Sequence, residues 1–181
     1  MRTEPILIEP RVFKDNRGWF QESYNRNRLR EEYGIDNDWM QDNHSFSKKH
    51  VIRGIHYQLD GQAKLVRCLT GRIIDVIVDL RRGLGFGSLE TYDLSADNGR
   101  TLYVPPGFGH SFLALESSQV LYKVDRPWNK ELERGVRYND PELAIPWSDF
   151  SFSGPIEKFH LSDKDLALPL LSDADKPEVE R

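Results

Sequence analysis

The chain has 181 residues, of which 38% are hydrophobic and 30% charged, enough for one domain with a real core and ordinary for a soluble globular protein. A net charge of -4 gives no general affinity for nucleic acid polymers or an anionic membrane. A single cysteine, Cys68, excludes an intrachain disulfide and argues against a Cys-based zinc site; no secretory leader and no apolar run of bilayer length stands out, so the cytoplasm is the expected compartment.

Strand-like runs dominate from the N-terminus onward. Ile6–Ile8 is a short one, and Trp19–Ser23 is a second, rich in aromatic side chains. Asn27–Tyr33 reads as a helix, with Leu29 and Tyr33 four residues apart on one face and Gly34 placed to end it. After a polar stretch, Val51–Gln58 is the next strand; Lys64–Leu69 and Arg72–Leu80 then flank Thr70-Gly71, a hairpin connection. Within Ile73–Leu80, Ile74, Val76, Val78 and Leu80 alternate with a face carrying Asp75 and Asp79, which predicts a sheet with one apolar and one polar side. Leu89–Leu94, Thr101–Val104, Ser111–Leu115 and Val120–Val124 complete the strands, separated by turn chemistry such as Asp97-Asn98-Gly99 and Pro105-Pro106-Gly107. A short helix starts at Ser162, and the polar tail, residues 172–181, is expected to fray. No repeat or interdomain linker is visible, so residues 1–181 read as a single domain. Many short strands with frequent turns predict an all-β antiparallel sandwich or barrel, of which the double-stranded β-helix, or jelly roll, is one form.

Three stretches carry chemistry. Arg53-Gly54-Ile55-His56-Tyr57-Gln58 is followed closely by Lys64-Leu65-Val66-Arg67; Pro105-Pro106-Gly107-Phe108-Gly109-His110 is the second; Tyr122-Lys123, with Leu161-Ser162-Asp163-Lys164-Asp165 far downstream, is the third. A strand with Arg, His, Tyr and Gln in close succession is costly to bury without partners. The plain alternative for His56 is a core histidine with satisfied ring nitrogens, but cations at 53 and 64 gather where an anion binds. Residues 53 and 56 differ by three, so an ideal strand puts them on opposite faces; a twist, a bulge or Gly54 must bring them together, or one of them stands outside the site. A cupin-type metal site needs a second His close to the first, and Gln58 stands where that ligand is needed; His44 and His50 lie upstream without ligand spacing, so no metal is expected. A Gly-x-Ser-x-Gly nucleophile elbow is absent from the sequence.

These stretches, in this order, resemble the dTDP-4-dehydrorhamnose 3,5-epimerase family. The likeness starts at Phe13-Lys14-Asp15-Asn16-Arg17-Gly18-Trp19-Phe20-Gln21-Glu22-Ser23-Tyr24 and includes Gln41-Asp42-Asn43-His44-Ser45, Asp75-Val76-Ile77-Val78-Asp79-Leu80-Arg81, Leu94-Ser95-Ala96-Asp97-Asn98 and Asn139-Asp140-Pro141, besides the three stretches above. The resemblance implies a cupin-like jelly roll that works as a homodimer, without metal or other cofactor, on a nucleotide-linked 4-keto-6-deoxy sugar. It implies His56 as the base, Asp165 as the carboxylate that orients it, Tyr122 as the acid on the opposite face of the sugar, and Lys64 beside the developing enolate oxygen. Neutral imidazole, with an ordinary pKa near ~6.5, suits removal of a hydrogen next to a ketone, and a carboxylate on its far nitrogen fixes the tautomer. The alternative for Asp165 is a local cap with Ser162, for Tyr122 an ordinary strand aromatic, for Lys64 a solvated strand end and for His110 a turn residue.

By the same resemblance Arg53 and His110 bind around the sugar and diphosphate, and Arg17, Glu22, Gln41, Asp42 and Asn43 bind the nucleotide. Arg17 and Glu22 are expected to do so across the dimer, from an exchanged N-terminal segment. Glu133 and Lys164 match further contacts. The family's thymine-stacking aromatic is normally Tyr; Trp128 stands there, with a π-face of its own. Two other departures are a short connection between His56 and Lys64, and Gly83-Leu84-Gly85-Phe86-Gly87, read as a surface loop. The implied reaction is epimerisation at C3 and C5 of dTDP-4-dehydro-6-deoxy-D-glucose. The rivals are a relative that inverts only one of the two carbons, and a catalytically silent jelly roll that binds a sugar nucleotide.

Overall fold

The computed structural model describes residues 2–83, 85–150 and 158–179. In chain order its elements are β1 (Ile6–Ile8), β2 (Val12–Asp15), β3 (Gly18–Gln21), α1 (Arg26–Tyr33), β4 (Gln41–Ser47), β5 (Ile52–Gln58), β6 (Lys64–Thr70), β7 (Arg72–Asp79), β8 (Leu89–Ser95), β9 (Thr101–Val104), β10 (Phe108–Ala114), β11 (Ser118–Val124), β12 (Glu133–Gly135) and α2 (Asp163–Leu166). Two five-stranded antiparallel sheets, ordered β1-β9-β6-β11-β4 and β12-β5-β10-β7-β8, enclose the core, and β2-β3 is a separate hairpin. The two-sheet antiparallel arrangement is the cupin-like jelly roll that the resemblance implies, one form of the sandwich or barrel that the strand pattern predicts.

Side-chain parity explains which residues meet. Val66 and Cys68 of β6, Ile73 and Ile77 of β7, Phe108 and Phe112 of β10, and Val120 of β11 form the cluster between the sheets. The opposite parity of the second sheet (Ile52, Ile55, Tyr57, Ile74, Val76, Val78) packs under Val136, Leu143, Ile145, Trp147 and Leu171 from the C-terminal segment. The outer face of the first sheet, through Leu65 and Tyr103, is covered by Leu29 and Ile35 in and after α1. That helix is set by its ends: Asn25 caps the Arg28 N–H, and Gly34, at φ 71°, closes it in the left-handed conformation.

Three expectations change. The second face of β7 is not solvated: Asp75 and Asp79 point into protein and are 0% and 2% exposed. Ile73 and Ile77 share that face, which is the inside of the sandwich, so each carboxylate is held by a partner, His110 for Asp75 and Arg81 for Asp79. The tail, expected to fray, makes tertiary contacts over residues 172–179: Pro177 is buried, the Glu178 N–H donates to the Leu59 carbonyl at 2.9 Å, and the Tyr57 hydroxyl donates to the Asp175 carbonyl. Residues 180–181 of that tail lie outside the described residues. In the 83–87 loop, Leu84 also lies outside them, but Phe86 packs onto the second sheet's outer core rather than standing free.

Candidate active site

Between the sheets lies a cavity of about 310 Å³ bordered by side chains of six strands and α2, among them His56, Lys64, His110, Tyr122 and Asp165. The parity difficulty at Arg53 and His56 is resolved by a bulge. His110 pairs with His56 and Phe112 with Arg53, so two residues' advance on β10 matches three on β5. The slip turns both side chains inward. Gly54 occupies the bulge at φ 106°, where a Cβ would sit 2.5 Å from the His110 carbonyl oxygen, so a residue with a side chain cannot take the same path.

His56 Nε2 lies 2.7 Å from Asp165 Oδ1. Asp165 belongs to α2 and is 4% exposed. Ser162 caps that helix by accepting from the Asp165 N–H at 3.1 Å, which leaves the carboxylate free for His56; cap and partner roles therefore coexist on one residue. Burial pushes the Asp165 carboxyl up, but the His56 hydrogen bond and charge, with Ser162 and the Gly54 N–H, outweigh it and hold the group below its ordinary range. An ionised Asp165 accepts a hydrogen bond from Nε2–H, which leaves the lone pair on Nδ1.

Lys64 is not a solvated strand end: it is 6% exposed. Burial lowers its amine from 10.5 to about 8, against the opposing charges of Asp75 and Glu133. Among the described residues its hydrogen bond is a long one, 3.4 Å to the His56 carbonyl. His110 is a buried strand residue rather than part of a turn, with Nε2 2.9 Å from Asp75 Oδ2. Burial pushes the Asp75 carboxyl up and the His110 imidazole down, so a pair sharing a single proton is favoured over an ion pair. Tyr122, on β11, is pushed up by burial, with Arg53 acting against this, and its phenol keeps its proton at neutral pH. At the rim, Lys164 Nζ meets Glu133 Oε2 at 2.6 Å; that pair and the neighbouring His56 and Trp128 outweigh the burial that pushes Glu133 up, so its carboxyl stays below the ordinary value.

Of the sequence-predicted site residues, His56, Lys64, Tyr122, Asp165, Asn43, Arg53, His110, Trp128, Glu133 and Lys164 all border this one cavity. Gln41 stands behind the rim, its amide donating to Asn43 Oδ1 at 2.7 Å and its oxygen accepting from the Trp128 N–H at 3.2 Å. The Asp42 side chain is not in the cavity: alternation along β4 turns it to the other face, where it pairs with Lys123 at 2.8 Å. Arg17 and Glu22 are not brought there within one protomer either. Arg17 pairs with Asp15 at 2.6 Å in the β2-β3 turn, and Glu22 accepts from the Asn25 amide at 2.9 Å. Ser45, Tyr57, Gln58, Gln62, Phe112 and Ser162 also line the cavity and Asp75 stands behind it, although the sequence assigned none of them a place in the site. A lone Asp inside an Ile/Val run was the available signal for Asp75. Among the described residues no group of three His, Cys, Asp or Glu side chains converges as a metal site.

A family model described as dTDP-4-dehydrorhamnose 3,5-epimerase matches residues 3–173. The chain belongs to the dTDP-4-dehydrorhamnose 3,5-epimerase family. A family member from Pseudomonas aeruginosa, named dTDP-4-dehydrorhamnose 3,5-epimerase, is 45% identical over 94% of this chain and 92% of its own. The fold is similar to that of the Legionella pneumophila 3,5-epimerase solved in complex with dTDP-4-keto-L-rhamnose: TM-score 0.90, 38% identity, 98% of this chain and 94% of that one. It is also similar to a 3'-monoepimerase from Streptomyces bikiniensis in complex with dTDP-quinovose: TM-score 0.84, 31% identity, 93% and 84%.

Proposed function

We infer that this protein is an isomerase that converts dTDP-4-dehydro-6-deoxy-D-glucose to dTDP-4-dehydro-L-rhamnose, inverting C3 and C5 in turn. The observation that carries the reading is a carboxylate-held imidazole, His56 with Asp165, sharing one cavity with the Tyr122 phenol in a chain of this family.

The C4 ketone acidifies the hydrogens on both neighbouring carbons. His56 Nδ1 takes the proton, the C–H electron pair moves into the ring, and negative charge builds on the C4 oxygen. Lys64, mainly protonated at neutral pH because its amine titrates at about 8, supplies the cation that this oxygen needs. Tyr122 then donates its proton to the carbon from the other face, which inverts it. Proton exchange with solvent returns the imidazolium and phenolate to their starting states. Since both carbons flank one ketone, a small shift of the sugar presents each to the same pair. Arg53 and His110 hold the diphosphate and sugar, and Trp128 stacks on the base, with Gln41, Asn43, Glu133 and Lys164 around it.

The working unit in this reading is a homodimer of single-domain chains, in which Arg17 and Glu22 reach the nucleotide in the partner's cavity. Support comes from the β2-β3 hairpin that carries them: Phe13, Trp19 and Phe20 are 63%, 62% and 69% exposed, an apolar surface suited to burial against a second copy. The reaction is placed in the cytoplasm on the sequence reading; among the described residues no helix is long and apolar enough to cross a membrane.

The test is incubation with dTDP-4-dehydro-6-deoxy-D-glucose in D₂O, with label at C3 and C5 read separately by NMR. Deuterium and inversion at both carbons are expected. Label and inversion confined to C3 would support the second reading, a single-carbon epimerase, which the likeness to the S. bikiniensis 3'-monoepimerase favours. Absence of label at both carbons removes the epimerase reading.

A further inference from the structure

The connection between β5 and β6, residues 59–63, carries His56 just before it and Lys64 just after it. On its inner side it is held by the segment that bears Trp128. Leu59 N–H donates to the Leu132 carbonyl at 3.0 Å, the Gln62 amide to the Arg126 carbonyl at 2.7 Å, and Ala63 N–H to Asp125 Oδ1 at 2.7 Å. On its outer side it is held by the end of the chain. Glu178 N–H donates to the Leu59 carbonyl at 2.9 Å, and a Cβ on Gly61 would lie 2.5 Å from Val179 Cγ2, so the Val179 side chain packs directly against the Gly61 backbone. Further back the same segment is anchored to strands of the second sheet. The Tyr57 hydroxyl donates to the Asp175 carbonyl, and Arg134 Nε meets Asp175 Oδ2 at 2.6 Å. Lys176 Nζ lies 4.2 Å from the Phe86 ring centroid, and Pro177 is buried. The family model matches residues 3–173, so it stops just short of this anchoring segment.

We propose that residues 174–179 form a strap that positions Lys64 against His56 by fixing the path of the 59–63 connection. Resting on the reading of His56 and Lys64 as reacting groups, the strap makes Asp175 and Val179 positioning residues, not catalytic ones. The argument is one of constraint. Among the described residues Lys64 has no short hydrogen bond to aim its amine; its long one, 3.4 Å, goes to the His56 carbonyl on the far side of the same loop. Its backbone is held by pairing with Val104 and Val124 and by where the chain enters β6 from the loop, and the loop is clamped between two segments, of which the outer one is this tail. Displacement of a catalytic group by about 1 Å is enough to cost a large factor in rate while leaving substrate binding nearly intact.

Two proteins test this: a chain ending at Asp173, and the full chain with Val179→Asp, which puts a charge against Gly61. In both, kcat is expected to fall about tenfold with KM within about twofold, while amide hydrogen exchange speeds up at residues 59–63 and stays unchanged in β7 and β10. Unchanged exchange at 59–63 overturns the strap. So does faster exchange there with full kcat, or faster exchange throughout both sheets, which would mark a general loss of stability. A full-length protein that labels neither C3 nor C5 would sink the epimerase reading instead, and exchange at 59–63 would still decide whether the tail clamps the loop.

Discussion

Replacing Lys64 with Met should make the protein more stable and nearly inactive. The amine is 6% exposed, and its fall from the ordinary 10.5 to about 8 means that the fold disfavours the charged form by about 3 kcal/mol at neutral pH. Methionine has similar length and no charge to desolvate, so that cost disappears. That figure already includes the attraction of Asp75 and Glu133, which opposes the burial. A net gain of about 3 kcal/mol is expected, worth about 6–12 °C in Tm for a chain of this size. The pH dependence is the sharper test. Below pH 8 both folded and unfolded wild-type Lys64 carry the proton, and the gap between the two proteins is full. Between about 8 and 10.5 the folded form has shed its proton and the unfolded form has not, so wild-type stability climbs and the gap closes. Urea unfolding followed by tryptophan fluorescence at pH 7, 8, 9 and 10, at equal protomer concentration, measures it. A variant less stable than wild type at pH 7, or a gap that stays constant up to pH 10, would refute the assignment of a strained buried ammonium. Epimerisation should drop about 10²–10³-fold, the loss that follows removal of one oxyanion-stabilising group.

Asp165→Asn keeps the shape of the partner but not its charge, so label uptake at both carbons should fall about 10³–10⁴-fold with KM little changed. The same carboxyl sits below its ordinary 3.8 when folded, so it contributes stability above that pH which is lost as pH falls beneath it; the Asn variant should show less acid sensitivity in a pH-jump melt. Tyr122→Phe removes the opposite-face donor but not the base. Deuterium should still enter, with retention of configuration, while inversion slows about 10²-fold by NMR; equal loss of exchange and inversion would remove Tyr122 as the acid. Mixing His56→Ala with an Arg17→Ala, Glu22→Ala double variant should restore about a quarter of wild-type activity, since half of the random dimers then hold one complete cavity. No recovery after subunit exchange would place Arg17 and Glu22 outside the partner's site.

The strands legible in the sequence are those with one consistently apolar face. β9 and β11 show the alternation because Leu102 and Val104, and Val120 and Tyr122, enter the cluster between the sheets, and β7 because Ile74, Val76 and Val78 pack under the C-terminal segment. β4 does not, although it is as long as β11: Gln41, Asn43 and Ser45 face the polar cavity or its rim, and Asp42 and His44 face outward, so neither parity is apolar and no period of two in hydrophobicity exists to be read. A strand that builds a polar site is thus hidden by the same property that makes it useful. β12 is three residues long and exists only as an edge partner of β5, through Glu133 opposite Gln58 and Gly135 opposite His56.

The site was legible in its residue types and illegible in its geometry for related reasons. Arg53 and His56 looked incompatible on one strand because parity assumes an even ladder, and the bulge is set by a contact with a strand more than fifty residues away, the His110 carbonyl pressed on Gly54. Asp75 looked solvated because alternation reports which residues share a face but not what covers that face. Once the sandwich closes, both faces of β7 are interior and the carboxylate is left with His110 and the field of Lys64. Both differences have one source: local periodicity is a statement about a single strand, whereas charge inside a jelly roll is decided by the strands around it. This predicts where a related sequence is worth searching: an acidic residue in the middle of an Ile/Val strand marks a place where neighbouring strands supply its partners, here the His110 hydrogen bond and the field of Lys64 from the opposite sheet.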